Sequence, residues 1–471
     1  IEIVRGPRAA RWGSDAIGGV IQIFTRRPGG PAASVRYGSN DDRRASFSWG
    51  RPGDAPLDFA LSARKVDGFS AQNARGFSFN PDDDGFENLG ASAGGELSLA
   101  GGQLSWRGRV AHGETEFDQG VSDFTNGSLR IDYQGPVADP VRWRMGVATL
   151  RDRLETTSAF GINEVTTRRL QADALIEGDL APTHQWLLGV DAWRESGVSD
   201  GQWDRTRTHF GVFTGLEGRR GPAGYELSLR LDEDDNFGTE FSGNAGFHWR
   251  FNPRLRGYAT LGRGFRAPNF SQLFSPGFGG LFGGNPDLEP ERSWSIESGL
   301  DWIPVPGQRL TVSLFSNQVD DLIDFSGENF RAINIREART RGLEVEHQWR
   351  ADGWNSRFNL TWQNPRDQDR DRDLLRRPEL KGQWTLGHVW NAGHYADAEL
   401  VHTGDRLDVG GVRLASTTLI NLRAAVRLGR GWQAEVRLDN LFDRRYEPLV
   451  GFNAPDRTIQ FGLRWDATTA R

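Results

Sequence analysis

Cysteine is absent from the 471 residues, which excludes disulfides and thiolate metal sites. Lysine stands only at Lys65 and Lys381 and methionine only at Met145, so arginine carries almost all the positive charge. No apolar run reaches 18 residues and the mean hydropathy is −0.58, which leaves no candidate for a transmembrane helix. The net charge of −6 is small for this length and argues against a nucleic-acid-binding protein. Also missing are the GxSxG, HExxH and Walker patterns that mark a hydrolase elbow, a zinc helix or a nucleotide loop. The eight histidines are scattered. His112, His209 and His402 could in principle hold haem or a metal, but isolated histidines more often serve structure. No catalytic centre is expected, and the chain reads as a non-enzyme.

What is abundant points to β-structure. There are 59 glycines and 17 tryptophans, a composition of many turns and aromatic packing. Strict alternation recurs throughout. "TIQFGLRW" sets Ile459, Phe461, Leu463 and Trp465 against Gln460, Gly462 and Arg464, and "WQAEVRL" and "VRWRMGV" repeat the pattern. No amphipathic helix of ten residues is evident. The connections alternate in length. Short Gly/Pro/Asn turns such as 100–103, 135–140, 181–184, 220–224, 252–254 and 304–308 separate long polar stretches. These cover 67–89, 112–127, 196–206, 232–241, 265–292, 318–338, 364–378 and 404–416. A soluble sandwich has no reason to lengthen every second loop, whereas a transmembrane barrel has short turns at one rim and long loops at the other. The expected fold is all-β, a transmembrane antiparallel β-barrel of about 22 strands, a size whose lumen must be plugged. Apolar residues should face lipid, and Arg, Gln, Glu and Ser the lumen.

The stretch "GSDAIGGVIQIFTRRPGG" (13–30) looks at first like a phosphate loop. The residues after its glycines read as a strand rather than a helix, so no ring of helix amides could face a phosphate. Together with the preceding "IEIVRGPRAARW" it resembles the end of the plug domain of TonB-dependent outer-membrane receptors. "GRGFRAPNFSQLF" and "GNPDLEPERSWSIESGL", then "VDDLIDF" and "NIREARTRGLEVE", are similar to that family's mid-barrel segments. "LDNLFDRRYEPLVGFNAPDRTIQFGLRW" resembles its closing hairpin. The resemblance runs from residue 1 to about 466.

The resemblance implies residues 1–30 as a C-terminal remnant of the plug, 31–466 as the barrel and 467–471 as a tail. It implies a monomer in the outer membrane of a Gram-negative bacterium, surrounded by outer-membrane lipid. Transport would be driven by the TonB–ExbB–ExbD complex through a TonB box that, with most of the plug, should lie upstream of this chain. Within the family, "DDDGFENLG", "DDNFG", "DLID" and "LLRR" are most like the cobalamin (vitamin B12) receptors, which implies cobalamin or a related corrinoid as ligand. Ferric-siderophore or haem uptake is the alternative, and a non-transporting surface barrel, an adhesin or phage receptor, the remote one. No cofactor is required on this reading, but structural Ca²⁺ in the extracellular loops is implied, with Asn80, Asp82, Asp84 and Asp118 as oxygen ligands. An acidic, solvated loop tip is the other reading of those residues. Arg376, the first arginine of "LLRR", is implied as the ligand contact from the barrel side; otherwise it pairs with a carboxylate of the wall or plug. The phenylalanines of 265–292 would either touch a large ligand at the mouth or belong to the interfacial aromatic girdle.

Overall fold

The computed structural model describes residues 1–6, 9–25, 27–159, 161–277 and 280–469. Alternating residues send their side chains to opposite faces of a strand, and here one face meets hydrocarbon and the other a wet lumen. The chain resolves this by closing on itself. Twenty-two long strands, from Ala32–Gly38 to Thr458–Asp466, pair antiparallel with their sequence neighbours, and the first pairs with the last. A two-residue strand, Arg372–Asp373, adds to the edge of Trp354–Asp367.

The outward set is apolar. Met145, Val147, Leu314 and Phe461 are all more than half exposed, which suits lipid and not water. The lumen side carries ion pairs such as Arg130 with Asp132 and Asp173, at 2.6 and 2.9 Å. Tryptophans bound the apolar band. Trp354 and Trp362 stand eight residues apart on one strand, as do Trp294 and Trp302 on another, all partly exposed. Eight residues at about 3.3 Å each, tilted by about 40°, span about 20 Å of barrel height, close to the hydrocarbon band of such barrels.

Both ends of the barrel sequence lie at the rim of short turns, 52–56, 100–101, 139–140, 182–183 and their successors. The opposite rim carries the loops 70–83, 267–290, 325–332, 368–379, 404–416 and 440–457. Three expected loops are absent from it. Residues 112–127, 196–206 and 232–241 are strand almost throughout, turning tightly at 118–119, 200–202 and 235–237. Strands that rise out of the membrane no longer need an apolar face, yet their backbones still pair with neighbours, so polar composition does not end them. Seven consecutive strands, from Asp84–Leu99 to Trp203–Arg220, run 16–21 residues, where about 10 cross a membrane.

The described residues among 1–22 sit within the lumen. Glu2–Arg5 pairs antiparallel with Gly19–Gln22, and the intervening turn of helix, Ala9–Trp12, packs on the wall made by the strands between Trp203 and Arg266. Ala10 is fully buried there, and Ser293 Oγ donates to the Ile17 carbonyl at 3.3 Å. The glycine-rich stretch therefore contains a strand, Gly19–Gln22, and, among its described residues, no helix N-terminus.

Candidate functional site at the mouth and lumen

The long loops interlock over one side of the mouth. Loop 440–457 crosses to loop 70–83, where Asn453 Nδ2 donates to the carbonyls of Ser70 and Gln72, both at 2.9 Å. The Asn73 amide donates to Gly451 O, and Arg75 pairs with Glu447 at 2.9 Å. The same loop meets 404–416 through Arg406, whose guanidinium donates to the carbonyls of Glu447 and Pro448.

Arg376 belongs to this lattice. Its Nε donates to Asp408 Oδ1 at 2.8 Å and its amide to Leu407 O. Asp408 is fully buried, and it also accepts from the amides of Val409 at 2.7 Å and Val450 at 2.8 Å. Burial pushes its carboxyl pKa up, but the Val450 amide, Arg376 and the Val409 amide outweigh this and hold it below the usual aspartate value. One carboxylate thus joins loops 368–379, 404–416 and 440–457. The Arg376 terminal nitrogens have no partner among the described residues, and its side chain is about half exposed. The Arg377 guanidinium donates, among the described residues, only to the Leu375 carbonyl two residues away.

The four residues expected to ligate calcium lie together around loop 70–83. Asp118, in the turn at 118–119, is buried and accepts the Asn80 amide at 3.0 Å, while Asp84 accepts the Ala71 amide at 2.6 Å. Glu116 accepts the Gly85 amide at 2.8 Å, and Asp82 is exposed. Burial first, then the fields of Asp118, Asp82 and Glu116, raise the Asp84 pKa above its ordinary value against the opposing pull of the Ala71 amide. Among the described residues no group of three or more His, Asp or Glu side chains is arranged to hold a metal ion. Asp84, Asp118 and Glu116 fasten the amides of this loop and of the strand end beside it.

The Phe-rich loop 267–290 has a core of its own and does not join the girdle. Its short helix Phe270–Phe274 is capped reciprocally by Asn269 and Gln272, and Leu273 packs with Leu288, Ile323 and Ala332. Phe270 lies against Trp203. At the mouth Phe282 stacks on Phe330, with centroids 5.0 Å apart, and reaches Phe77 of loop 70–83 at 6.5 Å. Phe278 lies outside the described residues.

Sequence reasoning did not find the polar network on the lumen wall. Arg230, nearly buried, pairs with Asp191 and Asp232, each at 2.6 Å. His209 sits 2.9 Å from Asp232 and stacks on Trp193. Arg207 reaches Glu195 and the Pro268 carbonyl, tying the wall to the loop above. The available signal was the alternation in "RLDED", which puts Arg230, Asp232 and Asp234 on one face. His112 and His402 lie elsewhere, against Thr125 and Thr418, so the three histidines share no centre. At the short-turn end a cavity of about 1180 Å³ is lined by Glu217, Arg219, Tyr258, Asp301, Arg309 and Arg357 among others.

A wet, charged lumen beneath interlocked loops is the architecture of a solute conduit, and the comparisons agree. Residues 27–441 match the family model described as TonB dependent receptor-like, beta-barrel. The chain is 26 % identical to the vitamin B12 transporter BtuB of Vibrio vulnificus, covering 95 % of this chain and 75 % of that protein. It is 26 % identical to BtuB of Photobacterium profundum, covering 97 % and 78 %. Among solved structures, the ferric enterobactin receptor PfeA of Pseudomonas aeruginosa superposes with a TM-score of 0.84 at 17 % identity, over 98 % of this chain and 84 % of that one. The copper transporter OprC does so at 0.83 and 18 %, with the same coverage. The chain belongs to the TonB-dependent receptor family, and is a non-enzymatic transport barrel of the Gram-negative outer membrane.

Proposed function

We propose that this barrel takes up cobalamin or a related corrinoid, with energy supplied through TonB, ExbB and ExbD. The observation that carries the ligand class is the likeness to two vitamin B12 transporters along 95 % and 97 % of the chain. The fold likeness does not select a ligand, since it reaches receptors titled for ferric enterobactin and for copper. On this reading residues 1–30 are the end of the plug, 31–466 the conduit and 467–471 a tail. The free guanidinium nitrogens of Arg376 would donate to amide or phosphate oxygens of the ligand. The Phe77, Phe282 and Phe330 rings would meet its flat apolar faces. As the plug shifts from the wall between Trp203 and Arg266, the Arg–carboxylate pairs of the lumen offer alternating donors and acceptors to a polar solute, and no covalent bond changes.

The test is equilibrium binding of cyanocobalamin to the full-length receptor, with and without Ca²⁺. Micromolar or tighter binding is expected. Its absence in both conditions overturns the ligand, and tight binding of a ferric siderophore or haem instead assigns the alternative.

A further inference from the structure

We propose that the outer wall just above the apolar band, on the three strands Val141–Ser158, Gly161–Ala181 and His184–Ser199, docks a phosphorylated headgroup of an outer-leaflet lipid. The face is fixed by alternation. Met145 and Val147, which face lipid, share their side of the sheet with Arg151, and Leu170 shares its side with Arg168. Arg151 lies directly opposite Arg168 in the ladder, and Arg194 lies opposite Leu170, one step diagonally towards the membrane. Opposed residues stand about 5 Å apart and diagonal ones about 7–8 Å, so three guanidinium groups share one patch.

Like charges directly opposite each other are unfavourable unless something neutralises them. Among the described residues no carboxylate lies within ion-pair distance of any of the three. All three are exposed, and none of their guanidinium groups donates a hydrogen bond or forms an ion pair among the described residues; Glu164 acts on Arg151 only through space. Arg153, the next outward residue on the same strand, is by contrast held by Glu155 at 2.5 Å and Glu164 at 2.8 Å. The hydroxyls of Ser196 and Thr208 flank the patch, opposite Arg168 and Arg194.

The surroundings point to the occupant. Below the patch is lipid-facing apolar surface. Above it Glu87, Glu114, Asp123, Glu155 and Glu164 stand opposite one another across five strands, a row that stays net negative even with Lys65 and Arg153 paired into it and so repels anions. An anion is therefore favoured only in the strip between, at headgroup depth, and guanidinium forks suit phosphate oxygens. An acyl-anchored phosphate satisfies both the apolar and the basic surface.

The test compares the wild-type receptor with the R151Q/R168Q/R194Q and R151K/R168K/R194K variants, all checked for folding by heat-modifiable electrophoretic mobility. Lipid retention in detergent is read by native mass spectrometry, with bisphosphorylated lipid A and its dephosphorylated form as probes. The wild type should prefer the phosphorylated lipid at least tenfold, the glutamine variant should lose that preference, and the lysine variant should keep part of it. Equal retention by wild type and the glutamine variant overturns the proposal. So does indifference of the wild type to the phosphates, or competition by inorganic phosphate as effective as by the lipid.

Discussion

Replacing Asp408 with alanine should release three loops at once while leaving the barrel intact. The Val450 amide loses a charged, buried acceptor, worth about 2 kcal/mol. The Val409 amide loses a cap worth about 1 kcal/mol. The Arg376 pair, half exposed on the arginine side, contributes about 1 kcal/mol once solvent screening is allowed for. Residues sharing one network do not add fully, so about 3 kcal/mol is a fair sum, or about two orders of magnitude in the local opening equilibrium. Asparagine keeps one acceptor oxygen and should lose about half as much. Hydrogen exchange read by mass spectrometry on peptides from 368–379 and 440–457 measures this directly, because amide protection reports local opening. The melting temperature should barely move, since the strand ladders are untouched. The tie also has a pH signature. A carboxyl whose folded pKa lies below its free value stabilises fully above the free value, about 3.9, and loses that contribution as pH falls through the folded value. Protection unchanged within a few-fold in Asp408→Ala at pH 7 would refute the reasoning.

On the lumen wall, Arg230→Ala leaves Asp232 and Asp191 without their cation and should cost about 3–5 kcal/mol, read as a lower urea midpoint for loss of heat-modifiable mobility; an unchanged midpoint counts against the network. At the strand end that follows loop 70–83, Asp84 titrates in the opposite sense to Asp408. Its raised pKa means that folding is penalised as pH rises from the free aspartate value through the folded one, and the penalty is complete above it. Asp84→Asn in EDTA should therefore increase exchange protection across 70–83 while keeping an acceptor for the Ala71 amide, and Asp84→Ala should not. A gain for asparagine that reverses when Ca²⁺ is added would make Asp84 a calcium ligand after all.

Alternation made the barrel legible because lipid and lumen sort every strand residue into two classes. Met145 against Arg144 is enough to orient Val141–Ser158. Strand ends were not legible where both faces are wet, which is why 112–127 looked like a loop. The "LLRR" motif singled out Arg376, but not Asp408, because the pairing joins residues 32 positions apart in separate loops. Arg230 and Asp191 likewise meet only because the strands bearing them both flank Trp203–Arg220. A run such as "RDQDRDRD" does not reveal which charges will find each other.

The uneven strand lengths divide labour around the rim. Seven tall strands form a paired parapet whose backbone is already committed, so a solute touching it finds a surface with little entropy left to lose. The other side, from Leu380–Val389 round to Leu57–Phe69, has strands of only 7–13 residues and is topped by loops 404–416, 440–457 and 70–83, joined by side-chain ties. Loops held by side-chain ties have less to break in moving than paired strands do. The mouth would work as a hinged cover closing against a fixed jamb, with Asp408 and Asn453 as its pins.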